Sequence, residues 1–163
     1  MQEIRTIIDT LHLLPHPEGG HYREVHRSKT IVKDLNGVLN KSAYTSIYYL
    51  LSGKDFSCWH RITSDETWYF HLGGDVLIYF FDENQCLQTI QLGLVSKIFQ
   101  ATIPANAWFA ARLVDQTSFC LVSCAVAPGF EFGDFEIAKR DHLLKEFGGS
   151  IENIKIIQAL TRA

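Results

Sequence analysis

The stretch CWHRITSDETWYFHLGG, residues 58–74, decides how this chain is read. His60 is followed six positions later by Glu66 and, seven further on, by Gly73. Two runs rich in aromatic and β-branched residues flank the turn signal Thr63-Ser64-Asp65, which predicts strands over 56–62 and 66–72. Side chains alternate along a strand. Glu66, Trp68, Phe70 and Leu72 therefore share one face, and Thr67, Tyr69 and His71 share the other. Cys58, His60 and Ile62 share a face of the preceding strand. With the aromatic face inward, His60 and Glu66 point into the interior together. A carboxylate there is costly unless it is paired or bound. Desolvation raises its pKa and a histidinium lowers it, and either result leaves a poised acid or base. The plainer alternative is a structural His–Glu pair that serves no ligand.

The same texture extends outward on both sides. Between about residues 21 and 126 there is no helical period. Short runs of Val, Ile, Tyr, Phe and Thr alternate with turn signals such as SGKD, GGD, DENQ and PAN. They predict nine strands, over 21–28, 43–52, 56–62, 66–72, 75–82, 86–92, 97–103, 107–113 and 117–126. That number at roughly ten-residue spacing predicts an antiparallel sandwich or barrel. Ile4, Ile7, Ile8, Leu11 and Leu14 keep helical spacing, which predicts an amphipathic helix over 2–14, ended by Pro15 and Pro17. Residues 136–147 and 151–161 read as two closing helices. Ile151, Ile154, Ile157 and Leu160 form a stripe on the second, with Ser150 as its cap. The expected organisation is a single domain over 1–163: the N-terminal helix, a barrel over about 21–126, and a C-terminal clasp with helices over 127–163.

Composition agrees with that plan. The chain has 163 residues, of which 47% are hydrophobic and 12% aromatic, enough for one sizeable core. A net charge of −3 without a basic patch argues against nucleic acid. No stretch approaches 18 apolar residues, so no membrane span is expected. The first residues, with Glu3 and no long apolar core, do not read as a signal peptide, and the cytoplasm is the expected compartment. Cys58, Cys86, Cys120 and Cys124 include no CxxC pair and are expected to be buried free thiols.

The spacing His60-x-Ile62-xxx-Glu66-xxxxxx-Gly73 resembles the first motif of the cupin superfamily, and GLVSKIFQATIPANAWF, residues 93–109, resembles the second, with Pro104 at its proline. The set LLPHPEGGHYRE, TSIYYLL, CWHRITSDETWYFHLGG, IPANAWFAA and VAPGFEFGDFEI, spanning about residues 13–137, is similar to the cupin-like family formerly listed as a domain of unknown function (cupin 5, DUF985 type). The resemblance implies an all-β fold with flanking helices, an antiparallel double-stranded β-helix or jelly roll, usually as a homodimer.

Metal-binding cupins supply two histidines and a glutamate from the first motif and a histidine from the second. Here Ile62 and Phe109 occupy two of those positions, and Asn106 replaces the usual glycine. Only His60 and Glu66 are left as ligands, so no cofactor is expected beyond a weakly held divalent metal. His71 lies on the face opposite Glu66 unless a bulge intervenes.

A small-molecule pocket in the barrel is expected instead. Its wall is expected to carry His60, Glu66, Trp68, Phe70 and Phe109, with Tyr48, Tyr79 and Trp108 as further candidates. Aromatic faces beside a few polar groups suit a sugar, a nucleoside or a small aromatic acid. In one reading the protein is a sugar epimerase- or isomerase-like enzyme. His60 removes a proton beside a carbonyl, and Glu66 orients it or returns a proton. The alternatives are a non-catalytic metabolite-binding protein and a metal-dependent cupin oxygenase or isomerase. PHPEGG, residues 15–20, reads foremost as a tight turn feeding the first strand, the alternative being a loop that folds over the barrel mouth with Glu18 or Arg23 touching ligand. PGFEFGDFE reads as a packing clasp, and His12, His16, His21, His26 and His142 as mostly solvent-facing.

Overall fold

The computed structural model describes residues 2–33 and 40–162. Helix α1 (Gln2–Leu11) opens the chain. The strands are β1 (Leu14–Pro15), β2 (His21–Arg27), β3 (Ile31–Lys33), β4 (Asn40–Ser42), β5 (Thr45–Ser52), β6 (Phe56–Arg61), β7 (Asp65–Gly73), β8 (Val76–Phe81), β9 (Leu87–Leu92), β10 (Gln100–Ile103), β11 (Phe109–Leu113), β12 (Phe119–Ala127) and β13 (Glu136–Ile137). Helices α2 (Arg140–Phe147) and α3 (Ile151–Ala159) follow.

The strands form a six-stranded sheet in the order β1-β2-β5-β12-β7-β10 and a five-stranded sheet in the order β13-β6-β11-β8-β9. All described pairings are antiparallel. From β5 to β8 the chain changes sheet at every turn, and it does so again from β9 to β12, so the sheets close on each other as a jelly roll. The nine strands expected from sequence are all present, and the jelly roll with flanking helices is the observed class.

Three apolar layers hold it together. Trp68, Phe109, Tyr49, Ile78, Leu51, Val122 and their neighbours fill the space between the sheets. Trp59, Tyr79, Phe81, Trp108 and Ala110 lie on the outer face of the five-stranded sheet, covered by α2 and α3. Leu50, Phe119 and Leu121 lie outside the other sheet, beneath Ile4, Ile7, Ile8 and Leu11 of α1.

Element ends differ from expectation for local reasons. Helix α1 stops at Leu11, before either proline. His12 takes φ 52°, its N–H donates to Asp9 O, and Leu13 N–H donates to Ile8 O. That is a left-handed cap closed by two backward hydrogen bonds. Helix α2 begins at Arg140 because Glu136 and Ile137 pair with Arg61 and His60 as a strand. Ser150 caps α3 as expected, its Oγ accepting from Asn153 N–H at 3.1 Å. On the α3 stripe Ile157 and Leu160 are buried, but Ile151 is exposed and Ile156 takes its place inside. All four cysteines are free, and Cys86 is exposed, unlike the other three.

Candidate functional site

The turn between β6 and β7 is a corner between the two sheets rather than a hairpin. His60 and Glu66 therefore face each other from opposite walls, and both line one cavity of about 120 Å³ at the barrel mouth. Both are buried, at 2% and 8% exposure. Two segments outside the barrel strands complete the cavity: the loop 15–20 contributes His16 and Glu18, and the clasp after β12 contributes Phe130, Phe132 and Phe135.

Glu18 sits where the alternative reading of PHPEGG has it, on a loop folded over the barrel mouth rather than in a plain turn. It is 6% exposed, and its Oε2 lies 3.0 Å from His60 Nε2. Its Oε1 accepts from the Ser57 hydroxyl at 2.9 Å. The loop that delivers it is held throughout. Cys58 N–H donates to Glu18 O, Tyr49 Oη–H to Gly19 O, and Gly20 N–H to Asp55 Oδ2. Gly19 and Gly20 take φ 116° and 70°, where other residues are strained, and a Cβ at Gly19 would collide with Phe56 O. The two glycines turn the chain so that the preceding carboxylate points inward. The adjacent Gly-Gly was the available signal.

Both nitrogens of His60 are engaged. Nδ1 lies 2.7 Å from Cys58 O, a group that can only accept, so Nδ1 carries a hydrogen. In the neutral ring Nε2 is then an acceptor, and it faces a Glu18 oxygen. One proton must lie between them, as an imidazolium–carboxylate or an imidazole–carboxylic acid pair. Burial pushes the Glu18 carboxyl up and the His60 imidazole down, and both shifts favour the neutral pair. His16 is also inside, its side chain 8% exposed, with Nδ1 accepting from Glu18 N–H and its pKa lowered by burial. The expectation of a solvent-facing His16 is corrected.

Glu66 is held differently. Its Oε1 accepts from the Trp68 indole N–H at 2.9 Å. Among the described residues no hydroxyl, amide or cationic donor bonds its second oxygen. Burial pushes its carboxyl up to about 7, against a smaller opposing effect of His60.

The expected aromatic wall is also corrected. None of Tyr48, Trp68, Phe70, Tyr79, Trp108 and Phe109 lines this cavity. Tyr79 and Trp108 face outward under α2 and α3. Tyr48 lies on the outer face of the other sheet, near α1 and His71. Trp68 and Phe109 are core, with Phe70 packed against it, although Trp68 holds Glu66 and the Phe109 ring lies tilted against that of His60, centres 4.0 Å apart. Pairing shifts between Leu121/Leu72 and Val122/Phe70 insert His71 as an extra residue. Leu72 thereby turns outward, at 48% exposure, and His71 bonds Ser123 outside the barrel. The wall is instead Tyr22, Ile47, Tyr49, Ile62 and the clasp phenylalanines.

A cupin metal does not fit this donor set. Ile62 and Phe109 put apolar groups at two ligand positions, and the nitrogens of His60 are spoken for by Cys58 and Glu18. Among the described residues no three His, Cys, Asp or Glu side chains are grouped to hold an ion. Asn106 takes φ 65°, the left-handed conformation glycine usually supplies, so the motif's turn survives without its ligand.

The closed pair of sheets, with the remnants of both cupin motifs in place, is a cupin fold. The chain belongs to the cupin superfamily family DUF985, whose model matches residues 5–138. It is 25% identical to an uncharacterized protein of Saccharomyces cerevisiae, over 90% of this chain and 80% of that one. It is similar to a protein of Shewanella oneidensis (36% identical, TM-score 0.87, 99% of each chain) and to a hypothetical protein of Leishmania major (32%, TM-score 0.87, 98% of each). Oxalate decarboxylase of Bacillus subtilis shares the fold at 14% identity, with a TM-score of 0.57 over 92% of this chain and 37% of that one.

Proposed function

We propose that the protein is an acid–base enzyme, isomerase- or epimerase-like, acting on a small hydroxy-carbonyl compound in the barrel mouth. The observation that carries this reading is the position of Glu66: a buried carboxyl lining the cavity, with one oxygen held by the Trp68 indole and, besides it, only the weakly donating Cys124 thiol as a hydrogen-bond partner. Its pKa of about 7 is matched to proton transfer near neutral pH. The principal base is therefore Glu66, not His60, whose nitrogens both meet protein groups.

In this mechanism the Glu66 carboxylate takes a proton from the carbon beside the carbonyl. The C–H electron pair forms the new C=C bond as the C=O pair moves onto oxygen. The Glu18 carboxylic acid, held by His60 Nε2, delivers its proton to that oxygen and gives an enediol. Glu66 then returns its proton to the neighbouring carbon while the Glu18 carboxylate takes the proton of the other enediol hydroxyl, whose O–H electron pair stays on the oxygen as the new C=O forms. The 1,2-shift is complete and both carboxyl groups are back in their starting states. The phenylalanine clasp keeps water away, which strengthens each electrostatic contact.

Proton NMR in deuterium oxide, with short hydroxy-ketones and hydroxy-aldehydes, tests this. The expected result is deuterium incorporation at the carbon beside the carbonyl, lost on Glu66→Gln and reduced by at least about a hundredfold on Glu18→Gln, with circular dichroism unchanged. Saturable binding without any exchange would leave a metabolite-binding protein in its place.

A further inference from the structure

The size and charge of the cavity narrow the class of compound, on the reading that this cavity is the substrate site. A cavity of about 120 Å³ is smaller than the roughly 150 Å³ that holds one benzene ring. It takes about six non-hydrogen atoms, well short of the roughly 300 Å³ at which ordinary ligand pockets begin. The wall that sets this limit is aromatic. Phe130 and Phe132 meet edge to face at 5.1 Å, and Phe135 lies 5.4 Å from the His60 ring. Thr45, whose hydroxyl accepts from Phe130 N–H at 2.9 Å, pins the clasp in place.

Charge narrows it further. Four carboxyl groups line the cavity and its rim: Glu18, Glu66, Glu24 and Glu131. The one guanidinium there, Arg27, is taken up by Glu24 at 2.8 Å and Glu131 at 2.6 Å and also donates to Phe130 O. His60 Nε2 is turned to Glu18 and His16 Nδ1 accepts from Glu18 N–H, and burial lowers the pKa of both rings, which disfavours their cationic forms. Among the described residues the cavity thus offers an entering anion no unpaired guanidinium or ammonium. A phosphate or carboxylate entering here would meet the Glu66 carboxylate and, at the rim, two carboxylates sharing the single guanidinium of Arg27, an excess of negative charge in a low-dielectric space where like charges repel strongly.

We infer that the substrate is an uncharged hydroxy-aldehyde or hydroxy-ketone of three or four carbons, free of phosphate and carboxylate groups. This excludes a nucleoside on volume and an aromatic acid on charge.

The intact protein can be tested with dihydroxyacetone, dihydroxyacetone phosphate, glycerate and ribose, by calorimetric binding and by exchange in deuterium oxide. Dihydroxyacetone is expected to bind saturably, and the phosphate and glycerate at least tenfold more weakly. Ribose is expected to bind only to Phe132→Ala, because Phe132 is 57% exposed at the cavity mouth and can be trimmed without opening the core. Equal or tighter binding of the phosphate or of glycerate, or binding of ribose by the unaltered protein, would overturn the inference. Binding of dihydroxyacetone without exchange would uphold the ligand class and count against catalysis. Failure of every compound to bind would overturn the cavity as a substrate site and the inference with it.

Discussion

Glu66 concentrates the chemistry of a single residue. Burial holds its carboxyl near 7, far above the ordinary carboxylate range. Between about pH 4.5 and 7 the native state therefore binds more protons at this group than the unfolded chain does. Its contribution to stability is fully present below that window and is lost as pH rises through it. Glu66→Gln has no such slope. Urea unfolding at pH 5 and pH 8 should show the variant gaining on the parent by up to about 3 kcal/mol at the higher pH. An equal gap at both pH values would mean that the carboxyl titrates normally. Trp68 acts on the reaction only through this group. Trp68→Phe removes one donor to a carboxylate, a loss on the order of 1.5 kcal/mol, so the midpoint of the pH–rate profile should move upward by about one unit. A profile lowered in amplitude but unmoved would make Trp68 a packing residue alone. His60 and Glu66 were legible in sequence because a turn with inward alternation on each side brings them together. Glu18 was legible only as the lesser of two readings, beside Arg23, because nothing in PHPEGG except its paired glycines shows where the loop points its acid.

At the scale of elements, the clasp after β12 shows how a connection becomes a wall. Its aromatic residues suggested packing, and they do pack, but against the cavity rather than the core. Lys41 of β4 donates to Asp134 at 2.7 Å and to Thr63 at 3.2 Å, with the Lys41 side chain only 7% exposed. Removing one partner of such a pair strands the other charge. Asp134→Ala should cost about 2–3 kcal/mol in urea unfolding, at the low end for buried pairs because Asp134 is 17% exposed. The same change should raise KM more than it lowers kcat, because the wall loosens while the acid and base stay in place. The strands themselves were readable because their residues alternate and their turns carry Gly, Asp, Asn and Pro. The pocket aromatics were misassigned for a related reason. Alternation gives two faces but does not say which one α2 and α3 cover, nor which inward residues lie at the mouth and which in the closed core; the bulge at His71 adds only that Leu72 turns outward.

For the whole molecule, the site depends on parts of the chain that are far apart in sequence. Arg162, three residues past α3, donates from Nε to Glu18 O at 3.2 Å and from Nη2 to Asp55 Oδ1 at 2.6 Å and Phe56 O at 3.0 Å. Its guanidinium also lies 4.6 Å over the Phe56 ring. One side chain thus joins the chain's end, the β5–β6 turn and the loop that carries Glu18. No periodicity or motif could have announced this, since the contact to Glu18 bridges 144 residues and exists only once the jelly roll has closed. Arg162 touches neither the cavity nor the carboxyl of Glu18, so it is a positioning residue. The pair with Asp55 is about 40% exposed on both sides, and such pairs contribute no more than about 1 kcal/mol. Arg162→Met should therefore leave the urea midpoint nearly unchanged. With the Glu18 loop less firmly held, kcat should fall about tenfold while KM for a neutral triose stays within about twofold. Arg162→Lys should restore part of the rate through the Asp55 contact alone. A fall in stability matching the fall in rate would reduce Arg162 to a structural tie, and a rise in KM at constant kcat would place it in binding rather than in holding the acid.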